Sequence, residues 1–195
     1  MPDDSRAVLD AKGLRVLAHP ARVQLVYLLR KHGPATATRL AERMGVNSGT
    51  ASYHLRQLAA GGFVEEVTDR GNARERWWRV AHQQIVFDDT ELAAADPESA
   101  LAYLQAVAAN YTLHTHQALN DFLTMPRPWQ DVFEISEHPL LLSVDEAARL
   151  KAELAEVVGR YRRDRHDLPA DAPTGAERVA VMIYLHPELD VHETP

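Results

Sequence analysis

Cysteine is absent from this chain of 195 residues, and its absence excludes disulfide bonds, thiolate metal sites and cysteine nucleophiles. Long apolar runs are missing as well, because no stretch approaches the ~20 residues of a membrane-spanning helix. The N-terminal sequence MPDDSRAVLD is acidic and unlike a signal peptide. We therefore expect a cytoplasmic protein with no membrane partner. The composition that remains, 46% apolar and 25% charged, is that of an ordinary globular protein.

Positive charge is scarce in the chain as a whole but not in its first part. Taken alone, the formal net charge of −7 argues against a nucleic-acid partner. Residues 1–82, however, carry 13 basic and 8 acidic residues, whereas residues 83–195 carry 8 basic and 20 acidic residues. Such asymmetry indicates a nucleic-acid or membrane partner for the basic part. Chance clustering of charges on solvated faces is the alternative explanation.

Glycine, proline and cap residues divide the first part of the chain into short elements. They predict four helices, at 9–18, 21–31, 36–45 and 47–61. Two extended runs then flank a segment of turn residues, FVEEVT at 63–68 and RWWRV at 76–80, and this pattern predicts a β-hairpin. Alternation along the second run places Trp78 and Val80 on one face. A short strand at 85–87 and an acidic linker at 88–96 complete this part.

Glycine is missing between Asn72 and Val158, so the second part has room for long helices. We predict one from Pro97 to about Thr124. Its apolar residues recur with heptad spacing, with Thr115 as the weak member, and this spacing predicts a dimer interface. The interface residues are Leu101, Leu104, Ala108, Tyr111, Ala118 and Phe122. An ordinary core helix is the alternative, since Val107, Leu119 and Leu123 widen the apolar stripe.

A small α/β region is predicted for the rest of the second part. Strands at 132–135 and 179–185 flank a helix that begins at the capping box of Ser143 and ends near Arg163. We expect this helix to bury Ala147, Leu150, Leu154, Val157 and Tyr161. Six aromatic or apolar residues either line a small-molecule pocket or build core and dimer contacts. They are Tyr103, Tyr111, Trp129, Phe133, Met182 and Tyr184.

Residues 36–60 read as a helix, a tight turn and a second helix, the motif that presents its second helix to the DNA major groove. With Ala51, Leu55 and Leu58 turned inward, the outward face is short, polar and free of acids. The hairpin tip adds arginines that suit phosphates or the minor groove. The candidate DNA-binding residues are Thr38, Ser48, Gly49, Thr50, Ser52, Tyr53, His54, Arg56, Gln57, Arg70, Asn72, Arg74 and Arg76.

Residues 14–80 resemble the winged helix-turn-helix of ArsR-type bacterial transcription regulators. The resemblance rests on HPAR at 19–22, LAERMG at 40–45, SYHLRQL at 52–58 and GFV at 62–64. It implies a homodimer on a pseudo-palindromic operator, usually a repressor that a ligand releases. It also implies that Ser52–Gln57 lies in the recognition helix and that Arg70–Arg76 forms the wing.

The chain departs from that family in two ways. Metal-sensing members carry a Cys-x-Cys motif where this chain reads ATAT at 35–38, and His114, His116 and Asp121 form a poor metal-ligand set. We therefore expect no metal and no cofactor. Residues 97–186 are an addition to the minimal family member, and the resemblance implies no particular effector for them.

The sequence thus predicts an α+β, mainly helical fold: an N-terminal winged helix-turn-helix, a long helix and a small α/β C-terminal region. Residues 1–90 would bind DNA, and residues 91–195 would dimerise and hold an effector if there is one. The predicted function is sequence-specific binding of double-stranded DNA by a homodimeric repressor. A winged-helix module that binds proteins and has no DNA affinity is the alternative. Catalysis is not expected, because the chain has no Gly-x-Ser-x-Gly, phosphate-loop or His-Glu-x-x-His pattern.

Overall fold

Short helices and strands alternate along the N-terminal two thirds of the chain. The computed structural model describes residues 6–68, 75–82, 84–161 and 173–188, and the chain forms two compact units, Met1–Phe122 and Leu123–Pro195. The helices of the first unit are α1 (Ala11–Leu17), α2 (Pro20–His32), α3 (Ala37–Met44), α4 (Ser48–Ala60), α5 (Thr90–Ala95) and α6 (Pro97–Asp121). Its strands are β1 (Arg6–Val8), β2 (Ala35–Thr36), β3 (Val64–Glu66), β4 (Trp77–Val80) and β5 (Gln84–Val86).

The predicted caps define the helix-turn-helix. The Thr36 hydroxyl caps α3 by accepting the Arg39 N–H at 3.4 Å. Gly45 ends α3 with a φ of 67°, a left-handed conformation that favours glycine. The Asn47 side chain then caps α4 by accepting the Thr50 N–H at 2.8 Å. These local bonds confirm the two predicted helices and the tight turn between them.

The predicted hairpin is confirmed and belongs to a three-stranded sheet. β4 pairs antiparallel with β3, in register Val64 with Val80, and antiparallel with β2 on its other side. Trp78 and Val80 are buried, as the alternation predicts. The strand predicted at 85–87 forms as β5, which pairs parallel with β1. Strand β1 had no sequence signal, and helix α1 begins after it rather than at residue 9.

The acidic segment at 88–96 is not a linker, and that prediction is wrong. It contains α5, whose first turn is capped by the Asp89 carboxylate through the Leu92 N–H at 2.9 Å. Asp96 caps α6 and also accepts a hydrogen bond from Arg15 at 3.0 Å. Asp89 and Asp96 therefore serve as helix N-caps, a position that favours Asp.

Leucines from α1 to α4 fill the core, and α6 packs on α1 and α2. The face of α6 that is buried there consists of Ala100, Tyr103, Ala106, Asn110 and His114. It is not the predicted heptad face, which remains exposed or half-buried. Because α6 packs in this way, the first compact unit extends to Phe122. The predicted division of roles between residues 1–90 and 91–195 stays a prediction.

The second unit contains α7 (Arg127–Gln130) and α8 (Val144–Gly159), after a 3-10 turn at Phe122–Thr124. The Ser143 capping box is confirmed, since Ser143 and Glu146 exchange both hydrogen bonds. The buried face predicted for this helix is wrong: none of its residues is buried, and Val157 and Tyr161 are exposed. Helix α8 ends at Gly159, and residues 162–163 lie outside the described residues.

The two strands predicted at 132–135 and 179–185 are also absent from the described chain, where both segments are irregular. Their aliphatic side chains are exposed, including Val132, Ile135, Val179 and Val181. A strand requires a hydrogen-bonded neighbour, and no described segment of this unit pairs with either one. The predicted class, α+β and mainly helical with an N-terminal winged helix-turn-helix and a long helix, is confirmed.

Candidate nucleic-acid interface

The candidate site is the outward face of α4. Ala51, Leu55 and Leu58 are buried against the core, as predicted. The opposite face carries most of the candidate residues: Ser48, Gly49, Tyr53, Arg56 and Gln57 are exposed, while Thr50 and Ser52 are half-buried. No acidic residue lies between Asn47 and Gly62. The helix therefore offers hydroxyls, an amide and a guanidinium, groups that suit base edges and phosphates.

A groove of about 360 Å³ joins this face to the helix before it and to the wing. Five predicted residues line it together: Thr38, Ser48, Ser52, Arg56 and Arg76. The structure therefore brings residues from α3, α4 and the start of β4 to one concave surface. Ala37, Glu75 and Trp78 also line the groove and were not predicted.

Two arginines at the base of the wing pair with glutamates of the neighbouring strand β3. The Arg76 Nε lies 3.8 Å from a Glu66 carboxylate oxygen, and both side chains are substantially exposed. The Arg79 Nε donates to Glu65 at 2.7 Å. Exposed pairs of this kind are weak, so Arg76 remains available to a phosphate. The predicted tip residues Arg70, Asn72 and Arg74 lie outside the described residues.

The side chain of His54 is not on the exposed face of α4. It is buried at 7% exposure, and its ring lies 4.4 Å from that of His19 and 5.2 Å from that of Tyr53, between ring centroids. Within this group, Tyr53 and His19 are exposed, whereas His54 is buried. The structure therefore separates His54 from the other candidates, because the ring turns toward the N-terminus of α2.

Burial and neighbouring charges lower the pKa values of His19 and His54. Burial lowers the pKa of His54, and the neighbouring charges of His19 and Arg22 lower it further. The pKa of His19 is lowered by burial and by Arg22, although a hydrogen bond with its own backbone opposes the shift. The pKa values of both rings are thus lowered, with the Arg22 charge contributing to both shifts. The HPAR motif pointed to this segment, but nothing in the sequence indicated that it packs against His54.

The predicted dimer residues lie along one side of α6. Leu101 and Leu104 are exposed, whereas Ala108, Tyr111, Ala118 and Phe122 are half-buried. This side differs from the buried face described above. The stripe is therefore apolar and only partly covered within one chain.

Metal ligands are not gathered in the described ranges, where no cluster of three His, Asp or Glu side chains is suitably placed. His114, one of the residues weighed as a ligand, is buried and hydrogen-bonded instead to Asn110 and Gln117, both at 3.1 Å. Its ring also stacks on Tyr27, with centroids 3.4 Å apart. Across these same ranges, no helix combines the length and apolarity that crossing a bilayer requires.

Helices α3 and α4, followed by the β3–β4 hairpin, define a winged helix-turn-helix domain. Residues 17–67 match a family model described as a helix-turn-helix domain. The family model and the observed elements thus agree that this part of the chain is a helix-turn-helix domain. No curated protein matches the chain significantly.

Solved structures with similarity to the chain include two of a Mycobacterium bovis protein. One, a crystal structure of fragment 1-100 of a possible transcriptional regulatory protein, is 28% identical, with 51% of this chain and 89% of that chain covered and a TM-score of 0.33. The other is a solution structure of a homodimeric winged helix-turn-helix DNA-binding domain described as a possible ArsR-family regulator; it is 29% identical, with 53% and 82% covered and a TM-score of 0.33. Wild-type MarR from E. coli is 19% identical, with 75% and 88% covered and a TM-score of 0.30.

Proposed function

We propose that the protein is a homodimeric repressor that binds a pseudo-palindromic operator in double-stranded DNA and acts in the cytoplasm. The observation that carries this proposal is the groove in which Arg56 and Arg76 converge with the hydroxyls of Thr38, Ser48 and Ser52. In this arrangement α4 enters the major groove, where Arg56 reads a guanine or holds a phosphate. The wing then contacts the backbone or the minor groove.

Dimerisation supplies the symmetry that a pseudo-palindrome requires. We propose the partly covered apolar side of α6 as its interface. In support, a heptad stripe of three repeats can pair with its copy across a two-fold axis, and Leu101 and Leu104 are each more than half exposed.

Fluorescence anisotropy on labelled duplexes tests the function. Sequences enriched by the full chain from a random duplex library should compete at least tenfold better than shuffled ones at low salt. If Arg56 reads a base, Arg56→Ala should weaken the free energy of DNA binding by about 1–3 kcal/mol. If it holds a phosphate instead, the slope of log affinity against log salt concentration should fall by about one. Arg149→Ala, which removes an exposed arginine from α8, is the matched control and should change neither quantity.

The alternative of a protein-binding module draws support from Glu75 in the groove and from the Glu65 and Glu66 partners of the wing arginines. These acids reduce the positive charge that faces a ligand. The same titrations distinguish the two functions. Absence of enrichment from the library, or an affinity that Arg56→Ala and Arg76→Ala leave unchanged, would exclude operator binding through this groove.

A further inference from the structure

A second cavity lies within the first unit, between α2 and α6. Its volume is about 120 Å³, and it shares no residue with the groove on α4. Aliphatic side chains form much of its wall: Leu17, Val23, Val26, Ile85 and Val107. At ~30 Å³ for each water molecule in the liquid, the space equals about four waters. A short organic molecule would fill it.

One wall of this cavity holds the Arg30 guanidinium. Its Nη2 donates to the His82 carbonyl oxygen at 3.1 Å. Its Nε is buried and, among the described residues, has no hydrogen-bond acceptor. No carboxylate of the described ranges lies within ion-pair distance of Arg30, and burial lowers its pKa to about 10. The Arg30 side chain is half-buried, so its charge is partly desolvated and an anion beside it would be stabilised.

Two tyrosines also line the cavity. Tyr103 and Tyr111 line it together with Arg30. Burial raises the pKa of Tyr103 to about 12, so its hydroxyl is a neutral donor at physiological pH. No Asp or Glu lines the cavity. The lining of this small space thus combines a cation and tyrosine hydroxyls with aliphatic side chains.

We propose that this cavity binds a small aliphatic monocarboxylate. The carboxylate pairs with the Arg30 guanidinium and accepts a hydrogen bond from the hydroxyl of Tyr103, which gives charge-assisted contacts. The hydrocarbon part packs against the wall formed by Val26, Ile85 and their neighbours. An inorganic anion would satisfy Arg30 but leave that wall in contact with water.

Titration of the full chain with 3-methylbutanoate tests the proposal. Isothermal calorimetry should show saturable binding, with a Kd of about 0.1–1 mM for a ligand of this size. In a ¹⁵N-labelled sample, the Arg30 Nε–H resonance should shift along the same isotherm. The neutral 3-methylbutanamide, inorganic phosphate and acetate should each bind at least about tenfold more weakly, because each lacks either the charge or the hydrocarbon part.

Two variants separate ligand binding from folding. Arg30→Met keeps the length of the side chain and should weaken 3-methylbutanoate by about 10–100-fold. Val107→Phe leaves Arg30 intact but fills the cavity, and should abolish binding while the circular dichroism spectrum is unchanged. Arg43→Met, which removes an exposed arginine from α3, is the matched control. No saturable binding, equal binding of phosphate or the amide, or undiminished binding by Val107→Phe would each overturn the proposal.

Discussion

The apolar side of α6 gives the sharpest quantitative prediction. Leu101 is 57% exposed and Leu104 is 52% exposed within one chain. Full burial of a leucine side chain is worth about 1.5–3 kcal/mol, so covering the remaining half should contribute about 0.8–1.5 kcal/mol for each side chain. A two-fold axis counts both leucines twice, which gives about 3–6 kcal/mol of dimer stability from this pair of positions.

Alanine retains the β-carbon and about a third of this burial, so the double variant Leu101→Ala/Leu104→Ala should lose about 2–4 kcal/mol and raise the dimer dissociation constant by about 30–1,000-fold. Sedimentation equilibrium over a range of protein concentrations measures that constant directly. The variant should keep its fold, because both side chains are exposed in the single chain and neither belongs to the buried core.

Leu113→Ala provides the matched control. Leu113 lies on the same helix, away from the heptad stripe, and is 39% exposed. It should leave the dimer constant unchanged within about threefold. A wild-type dimer that the double variant does not weaken, or that Leu113→Ala weakens equally, would refute the assignment of the interface to this stripe.

Three further variants test local features of the domain, each by urea unfolding followed by circular dichroism. Gly45→Ala should lower the free energy of unfolding by about 1–2 kcal/mol, because the turn requires a left-handed residue. Its control is Gly159→Ala, at the end of α8 with open space around it, which should leave that free energy nearly unchanged. Asn47→Ala removes the cap of α4 and should cost about 1 kcal/mol. Acidification should also destabilise the domain. The folded state lowers the pKa of His54 below its unfolded value of ~6.5, so the unfolded chain binds protons more readily and the free energy of unfolding falls as pH drops below that value. His54→Gln should flatten this dependence, and an unchanged slope would contradict it.

The helix-turn-helix was predictable because its signals are local. Thr36 and Asn47 each cap a helix through an N–H three residues away, and Gly45 marks a single turn. Interactions of this range join residues that are close in sequence, so a short motif is enough to predict them. The same reasoning accounts for Ser143, whose capping box is likewise confined to four residues.

Pairings between distant segments were not predictable. Strand β1 exists because it pairs with β5 from the far end of the domain, and its three residues carry no signal of their own. Conversely, the segments 132–135 and 179–185 have strand-like composition, yet no described neighbour pairs with them. Composition indicates that a segment can pair, whereas strand formation depends on a partner that a single sequence does not identify.

The packing of α6 escaped prediction for a different reason. Counting apolar residues favours the heptad side, while the face that packs against α1 and α2 contains Asn110 and His114. Those two polar side chains are tolerated because they bond to each other at 3.1 Å and because the His114 ring stacks on Tyr27. Hydropathy scores each residue alone, so it misses a pair whose burial is made possible by mutual hydrogen bonding.

Helix α6 takes part in both proposals, because one of its sides lines the cavity and another carries the heptad stripe. Tyr111 lines the cavity beside Arg30 and also belongs to the heptad stripe proposed to pair with a second copy. Arg30 in turn lies on α2, which packs on both α4 and α6. If a bound carboxylate shifts Tyr111, it changes the surface of the proposed dimer interface, and dimerisation then changes carboxylate affinity by the same factor, since binding free energies are reciprocally linked. In the operator complex proposed above, that shift would also change DNA affinity, because two recognition helices at the required spacing would come only from a dimer.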